Sequence, residues 1–225
     1  MWPTPSTSPA WRHPQPEPNN PFLRMFDRSA SRFIKPTVNY LAKTISRLGV
    51  SANQLTLTGF AIGLIAAYLI ANGAYWTGAL AILVSRLLDA LDGAVARQTQ
   101  PTDAGGFLDI ALDFLFYASI PLAFALSDPE RNALPAAVLL AAFIGTGSSF
   151  LAFAALAAKR GMSNLDYPNK SLYFLGGLTE ATETLACFLA MCLWPELFIE
   201  LAYGFAALCA ITTATRIWWG WKAFQ

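Results

Sequence analysis

Four aspartates carry most of the chemistry legible in this chain: Asp89 and Asp92, then Asp109 and Asp113. Spacings of three and four residues put each pair on one face of a helix. Both pairs lie in otherwise apolar stretches. An ionised carboxylate there costs ~2.5–3.5 kcal/mol at the centre of a membrane helix and less near an interface, so such residues are functional by default. Only the short turn Thr99–Ala104 separates the pairs, which brings all four toward the ends of two antiparallel helices. Converging carboxylates repel unless a cation lies between them. Arg86 and Arg97 supply part of that charge, and hard divalent ions, which take oxygen ligands, supply it better. Gly93 and Ala96 leave a helix face bare enough for a ligand to reach the backbone. Arg97 suits phosphate oxygens, and Gly105 lets the second helix start close to a ligand. Carboxylates, metal, bare backbone and an arginine together describe a site for a pyrophosphate. Acidic clusters holding two metals support in-line displacement at phosphorus.

The elements that must position these groups are apolar blocks without a polar face, which excludes a soluble amphipathic bundle. Spans of ~20 apolar residues cross a bilayer, and six fit: Asn53–Asn72, Tyr75–Gln98, Asp103–Leu126, Asn132–Ala158, Ser171–Trp194 and Glu196–Gly220. The fold expected is therefore all-α, an integral membrane bundle of six transmembrane helices, since helices satisfy every backbone polar group within their own segment. Composition agrees. The chain is 55% hydrophobic and 13% charged with a net charge of +1, about half the charge of a soluble domain. That excludes a basic nucleic-acid binder and a chain disordered throughout.

Residues 1–21 are rich in proline, with Ser, Thr and Asn between, and read as a disordered tail. Residues 22–50 carry Phe26, Phe33, Ile34, Val38, Leu41, Ile45 and Leu48 at helical spacing, interleaved with Arg24, Arg28, Arg32, Lys35, Lys43 and Arg47. This pattern predicts a cytoplasmic amphipathic juxtamembrane helix lying on the membrane surface, held there by anionic lipid. Residues 51–225 form the membrane domain. Basic residues gather in the N-terminal region, near Arg97, at Lys159–Lys170 and at Lys222, whereas the other side carries only Arg131. Both termini are thus expected in the cytoplasm. Trp194, Trp218, Trp219 and Trp221 end spans, as interfacial aromatics do. The first apolar block begins far from Met1, so no cleavable signal peptide is expected. Cys187, Cys192 and Cys209 fall inside spans and read as small core hydrophobes.

Asp89-Ala-Leu-Asp92-Gly93-Ala-Val-Ala96-Arg97, followed by seven residues and Gly105-Gly-Phe-Leu-Asp109-Ile-Ala-Leu-Asp113, resembles the signature of the CDP-alcohol phosphotransferase family, D-x-x-D-G-x-x-A-R then G-x-x-x-D-x-x-x-D. The turn before Gly105 is one residue shorter than is usual there. Asn53-Gln-Leu-Thr56 resembles the N-x-x-T that family members carry at the start of their first span. The resemblance covers about Arg28 to Lys222. It implies that Asp89, Asp92, Asp109 and Asp113 hold two ions, Mg²⁺ or Mn²⁺, and that Asp113 is the catalytic base for the attacking hydroxyl. It also implies that Asn53, Thr56, Gly93, Ala96, Arg97 and Gly105 line the nucleotide pocket. The partners implied are a CDP-linked lipid, a polar alcohol acceptor and a second copy of the chain in a homodimer. The membrane implied is the bacterial cytoplasmic (inner) membrane.

The expected reaction moves a phosphatidyl group from CDP-diacylglycerol to a polar alcohol and releases CMP. Transfer of a phospho-amino-alcohol from a CDP-amino alcohol to diacylglycerol is the alternative, because Thr179-Glu180 resembles a segment of that branch. Acceptor candidates are Lys170, Glu180, Glu183 and Arg216. The two glutamates suit an ammonium, an acceptor hydroxyl, or a pairing with Lys170 or Arg216. A phosphorylated acceptor would call on the basic residues. Gly145-Thr-Gly147-Ser148-Ser149 reads as a helix contact ahead of an acceptor contact. A transporter or proton relay also explains four intramembrane acids, yet not Gly93, Ala96, Arg97 and Gly105 at these offsets.

Overall fold

The computed structural model describes residues 38, 40–161, 179 and 181–225. Residues 40–47 are helical. Six longer helices follow: α1 (Ala52–Ala71), α2 (Tyr75–Gln98), α3 (Asp103–Ser127), α4 (Pro129–Lys159), α5 (Ala181–Leu193) and α6 (Phe198–Phe224), with a 3₁₀ turn at Pro195–Leu197 before α6. No strand occurs among the described residues. The all-helical expectation therefore holds for them.

Local chemistry sets the helix starts. Ser51 and Gln54 form a reciprocal cap on α1: the Gln54 N–H donates to Ser51 Oγ at 3.3 Å and the Ser51 N–H donates to Gln54 Oε1 at 2.9 Å. Thr102 caps α3 by accepting from the Gly105 N–H at 3.1 Å. Asp128 accepts from the Arg131 N–H at 3.3 Å with Pro129 in the first turn, so α4 starts three residues earlier than expected. Gly73, at φ +77°, supplies the left-handed residue that turns α1 into α2. Trp194 leaves the helical conformation (φ −130°, ψ 69°) because Pro195 follows it.

Four helices are long and apolar enough to cross a membrane: α1, α3, α4 and Pro195–Phe224, which includes α6. The protein is thus an integral membrane protein. Helix α2 has 24 residues but carries the charged Arg86, Asp89, Asp92 and Arg97. The 13 residues of α5 reach only ~20 Å at 1.5 Å per residue, and most of the expected fifth span before them lies outside the described residues. So do the proline-rich tail and most of the expected amphipathic helix. Its described end packs Ala42, flanked by Val38, Ile45 and Val50, against Leu55 of α1 and Leu91, Ala94 and Val95 of α2.

Helix α1 packs on α2 and α3, α3 on α4, α4 on α6, and α5 on α2 and α6. The core between them is aromatic. Phe116 and Phe124 of α3 meet Phe188 of α5 and Phe198 and Phe205 of α6, with Phe124 stacked on Phe198 at 4.6 Å between centroids. Cys192 and Cys209 are buried in this core and Cys187 packs against it, all as free thiols, which agrees with their reading as small hydrophobes. The glycines of α4 are contact points: a Cβ at Gly145 would lie 3.1 Å from Thr213 Oγ1, and one at Gly147 would strike the Phe114 ring.

Candidate active site

Three helix ends meet where α1 begins, α2 ends and α3 begins. Asp92 and Asp109 each lie six residues from the helix end at the α2–α3 turn, about 9 Å along the axis. Asp89, Asp92, Gly93 and Ala96 share one face of α2. A cleft of about 160 Å³ opens here. Asn53 and Thr56 line it from α1, Asp92, Gly93 and Ala96 from α2, and Gly105 and Asp109 from α3. Seven of the residues that the sequence reading singled out thus line one cleft. The same cleft is completed by Ala52, Gln100, Pro101, Thr102 and Gly106, which that reading missed. Thr102 carried a signal, a threonine three residues before Gly105 at a helix start; Gln100 and Pro101 carried none.

Two glycines keep the cleft open. A Cβ on Gly105 would come within 2.9 Å of Asn53 Oδ1 and 3.1 Å of Thr102 Oγ1, filling the space between α1 and α3. A Cβ on Gly93 would stand 3.3 Å from Arg97 Nη1. The exposed Arg97 side chain therefore curls back over the bare glycine, beside the cleft rather than away from it.

One carboxylate oxygen each from Asp89, Asp92 and Asp109 lies within 4.8 Å of the others. At that separation and an effective dielectric of ~20, two unit charges repel by about 3 kcal/mol. Asp92 is 5% exposed, and its Oδ2 is buried with no hydrogen-bond partner. A buried carboxylate oxygen without a donor, inside a trio of all-oxygen ligands, fits a hard divalent cation. Left without a partner, a buried acceptor is costly.

Asp113 stands apart from this trio. Its Oδ1 accepts a hydrogen bond from Arg86 Nη1 at 2.5 Å, and the same nitrogen lies 3.5 Å from Asp89 Oδ1. The four aspartates of the motif are therefore close together but unequal: three share a concave trio and one is held by an arginine.

The acceptor candidates are scattered or outside view. Lys170 and Glu180 lie outside the described residues. Glu183 is exposed in the first turn of α5. Arg216 is half-buried on α6, where Nη1 donates to the Thr146 carbonyl of α4 at 3.1 Å and the guanidinium lies 5.6 Å from the Phe150 ring centroid. It lines a second groove, of about 170 Å³, between α4 and α6 with Ser149 and Trp221.

Comparison with known proteins fits this geometry. The CDP-alcohol phosphatidyltransferase family matches residues 49–219, and the chain belongs to that family. It is accordingly an enzyme of the CDP-alcohol phosphotransferase class, a membrane transferase of phospholipid biosynthesis. The chain is 53% identical over 201 residues to the inner membrane protein YnjF of Escherichia coli strain K12, covering 89% of this chain and 98% of that one. An archaetidylinositol phosphate synthase of Pyrococcus horikoshii is 39% identical over 99 residues, 44% of this chain and 53% of that protein. The synthase of the same name from Methanothermobacter thermautotrophicus is 40% identical over 101 residues, 44% of this chain and 48% of that one. Among solved structures, the phosphatidylinositol phosphate synthase of Mycobacterium tuberculosis with CDP-DAG bound superposes with a TM-score of 0.61 at 21% identity, over 82% of this chain and 93% of that one. That likeness is one of fold.

Proposed function

We propose that this protein transfers a phosphatidyl group from CDP-diacylglycerol to the hydroxyl of a polar alcohol, forming a phosphodiester and releasing CMP. The observation that carries this reading is the convergence of Asp89, Asp92 and Asp109, with the orphaned Asp92 Oδ2, on a cleft whose walls are kept bare by Gly93, Ala96 and Gly105. Asn53 and Thr56 hold the nucleotide end, and Arg97, folded over Gly93, binds phosphate oxygens. The acceptor hydroxyl attacks the phosphorus that bears the diacylglycerol. The bond from that phosphorus to the bridging oxygen breaks, CMP leaves with the electron pair, and Asp113 takes the hydroxyl proton. Asp89, Asp92, Asp109 and Asp113 would hold Mg²⁺ or Mn²⁺, two ions, which when bound neutralise the pyrophosphate and the charge of departing CMP.

The names of the two archaeal relatives favour a phosphorylated polyol as acceptor, with Lys170 and Arg216 as candidates for its phosphate. Glu180 and Glu183 are the corresponding candidates for a hydroxyl or an amine. The fuller architecture belongs to this proposal: six spans, a juxtamembrane helix, both termini cytoplasmic, and a homodimer. Placement in the inner membrane takes support from the name of the E. coli relative.

An acceptor screen tests the reading. Purified full-length protein is supplied with Mn²⁺ or Mg²⁺, CDP-diacylglycerol and a panel of alcohols that includes inositol phosphate, glycerol phosphate and serine, and CMP release is measured. CMP release in one of these wells, abolished by excess chelator, is the expected result. Release confined to parallel wells with CDP-choline or CDP-ethanolamine and diacylglycerol would establish the reversed pairing instead. Undiminished release in chelator would remove the metal from the mechanism.

A further inference from the structure

Arg86 is a buried cation to which the transferase reading gives no task. Its side chain is 12% exposed, and it is fixed from several sides. Nη1 donates to Asp113 and lies near Asp89. Nη2 lies 3.3 Å from Ser85 Oγ. The guanidinium carbon sits 3.9 Å above the centroid of the Phe116 ring and 5.9 Å from that of Tyr117. Nε, by contrast, is buried with no hydrogen-bond partner, so the Nη edge and the ring beneath it set the orientation of the plane.

The supports of Arg86 are themselves anchored. Ser85 is fully buried and its hydroxyl donates to the Gly59 carbonyl of α1 at 2.7 Å, which leaves its lone pair facing the guanidinium. Phe116 reaches its place because Gly63 has no side chain: a Cβ there would lie 2.6 Å from Phe116 Cδ2 and 3.1 Å from Ser85 Oγ. A continuous path therefore runs from the backbone of α1 through Ser85 to Arg86 of α2, and from there to Asp113 of α3. Asp113 shares a face of α3 with Phe116 and Tyr117, so the ring floor and the carboxylate turn together.

We propose that Arg86 is a positioning residue for Asp113, orienting the carboxylate that takes the proton of the acceptor hydroxyl. The proposal rests on the transferase reading and deepens it. A guanidinium suits the task where an ammonium does not. Its planar fork contacts Asp113 and Ser85 through different nitrogens while its face lies on a ring, and a lysine ammonium offers a single point of charge at the end of a flexible stem.

The test uses the full-length protein and the variants Arg86→Met and Arg86→Lys, each alone and combined with Asp113→Asn. Three quantities are read: kcat and KM for CDP-diacylglycerol by CMP release, Mn²⁺ binding by electron paramagnetic resonance, and thermal melting. If Arg86 acts by aligning the base, Arg86→Met lowers kcat by roughly 10²-fold or more, the size of a general-base contribution. Its KM and Mn²⁺ affinity stay within about threefold, since uniform binding is untouched. Arg86→Lys recovers about tenfold of the lost kcat, because it restores the charge but not the fork. In the Asp113→Asn background, Arg86→Met adds less than about twofold, as expected for two residues acting through one group. Wild-type kcat in Arg86→Met overturns the proposal, and so does a kcat loss fully additive with Asp113→Asn or one matched by an equal loss of Mn²⁺ affinity. If Arg86→Met does not fold, Ser85→Ala decides: it removes the anchor of Nη2 and lowers kcat at unchanged KM, and an unchanged kcat in the folded variant overturns the proposal. Absence of CMP release by the wild-type chain with every donor and acceptor is a failure of the transferase reading itself and takes this inference with it.

Discussion

At the scale of single residues, the site depends on unequal treatment of four identical side chains. Asp92 is buried with a bare oxygen, Asp89 belongs to the trio and also lies 3.5 Å from Arg86, and Asp113 is bonded to the arginine. The substitution Asp113→Asn separates their roles. An asparagine amide oxygen still accepts from Arg86, so the local shape survives while the proton acceptor is lost. CMP release is expected to fall by roughly 10²–10⁴-fold, with binding of CDP-diacylglycerol retained as measured by titration of the purified variant. Turnover at the wild-type rate would remove Asp113 from its role as base.

At the scale of helices, the decisive feature is how closely α1 approaches α2 and α3. Gly59 and Gly63, four residues apart, form the small-residue seam that membrane helices use to bring backbones together. Neither entered the sequence reading, although their spacing was visible there. Because a Cβ at Gly63 meets the buried Phe116 ring, Gly63→Ala is expected to destabilise the protein by about 1–3 kcal/mol, the usual cost of overpacking. Gly204 is the matched control on α6. A Cβ there meets nothing within 4 Å, and Gly204→Ala is expected to be neutral or stabilising by up to ~1 kcal/mol through helix propensity. Thermal melting of both variants in detergent checks the pair; equal melting temperatures would mean that the seam contributes nothing.

At the scale of the whole molecule, the proposed orientation places the carboxylate cleft and both termini on the cytoplasmic side, following the surplus of basic residues there. Glu130, exposed at the start of α4, and Gln225, exposed at the C-terminus, then lie on opposite sides. A membrane-impermeant thiol reagent applied to intact spheroplasts is expected to label Glu130→Cys, and to label Gln225→Cys only after lysis. The reverse pattern would invert the molecule.

The sequence alone determined that the chain is helical and membrane-embedded, where its turns fall within a few residues, and seven of the residues that line the cleft. These follow from local causes: long apolar runs, caps and glycines next to the turns, and a motif whose two halves lie on consecutive helices. Asn53 and Thr56 were legible only through the resemblance of their segment, since nothing in residue spacing says that α1 closes over the α2–α3 turn. The tertiary structure decided the rest. It pairs Asp113 with an arginine 27 positions away in the chain, seats that arginine on Phe116, and completes the cleft with Gln100, Pro101 and Thr102. Such choices depend on how three helices rotate about their axes when packed, and that rotation is set by the bulk and absence of side chains on all three at once.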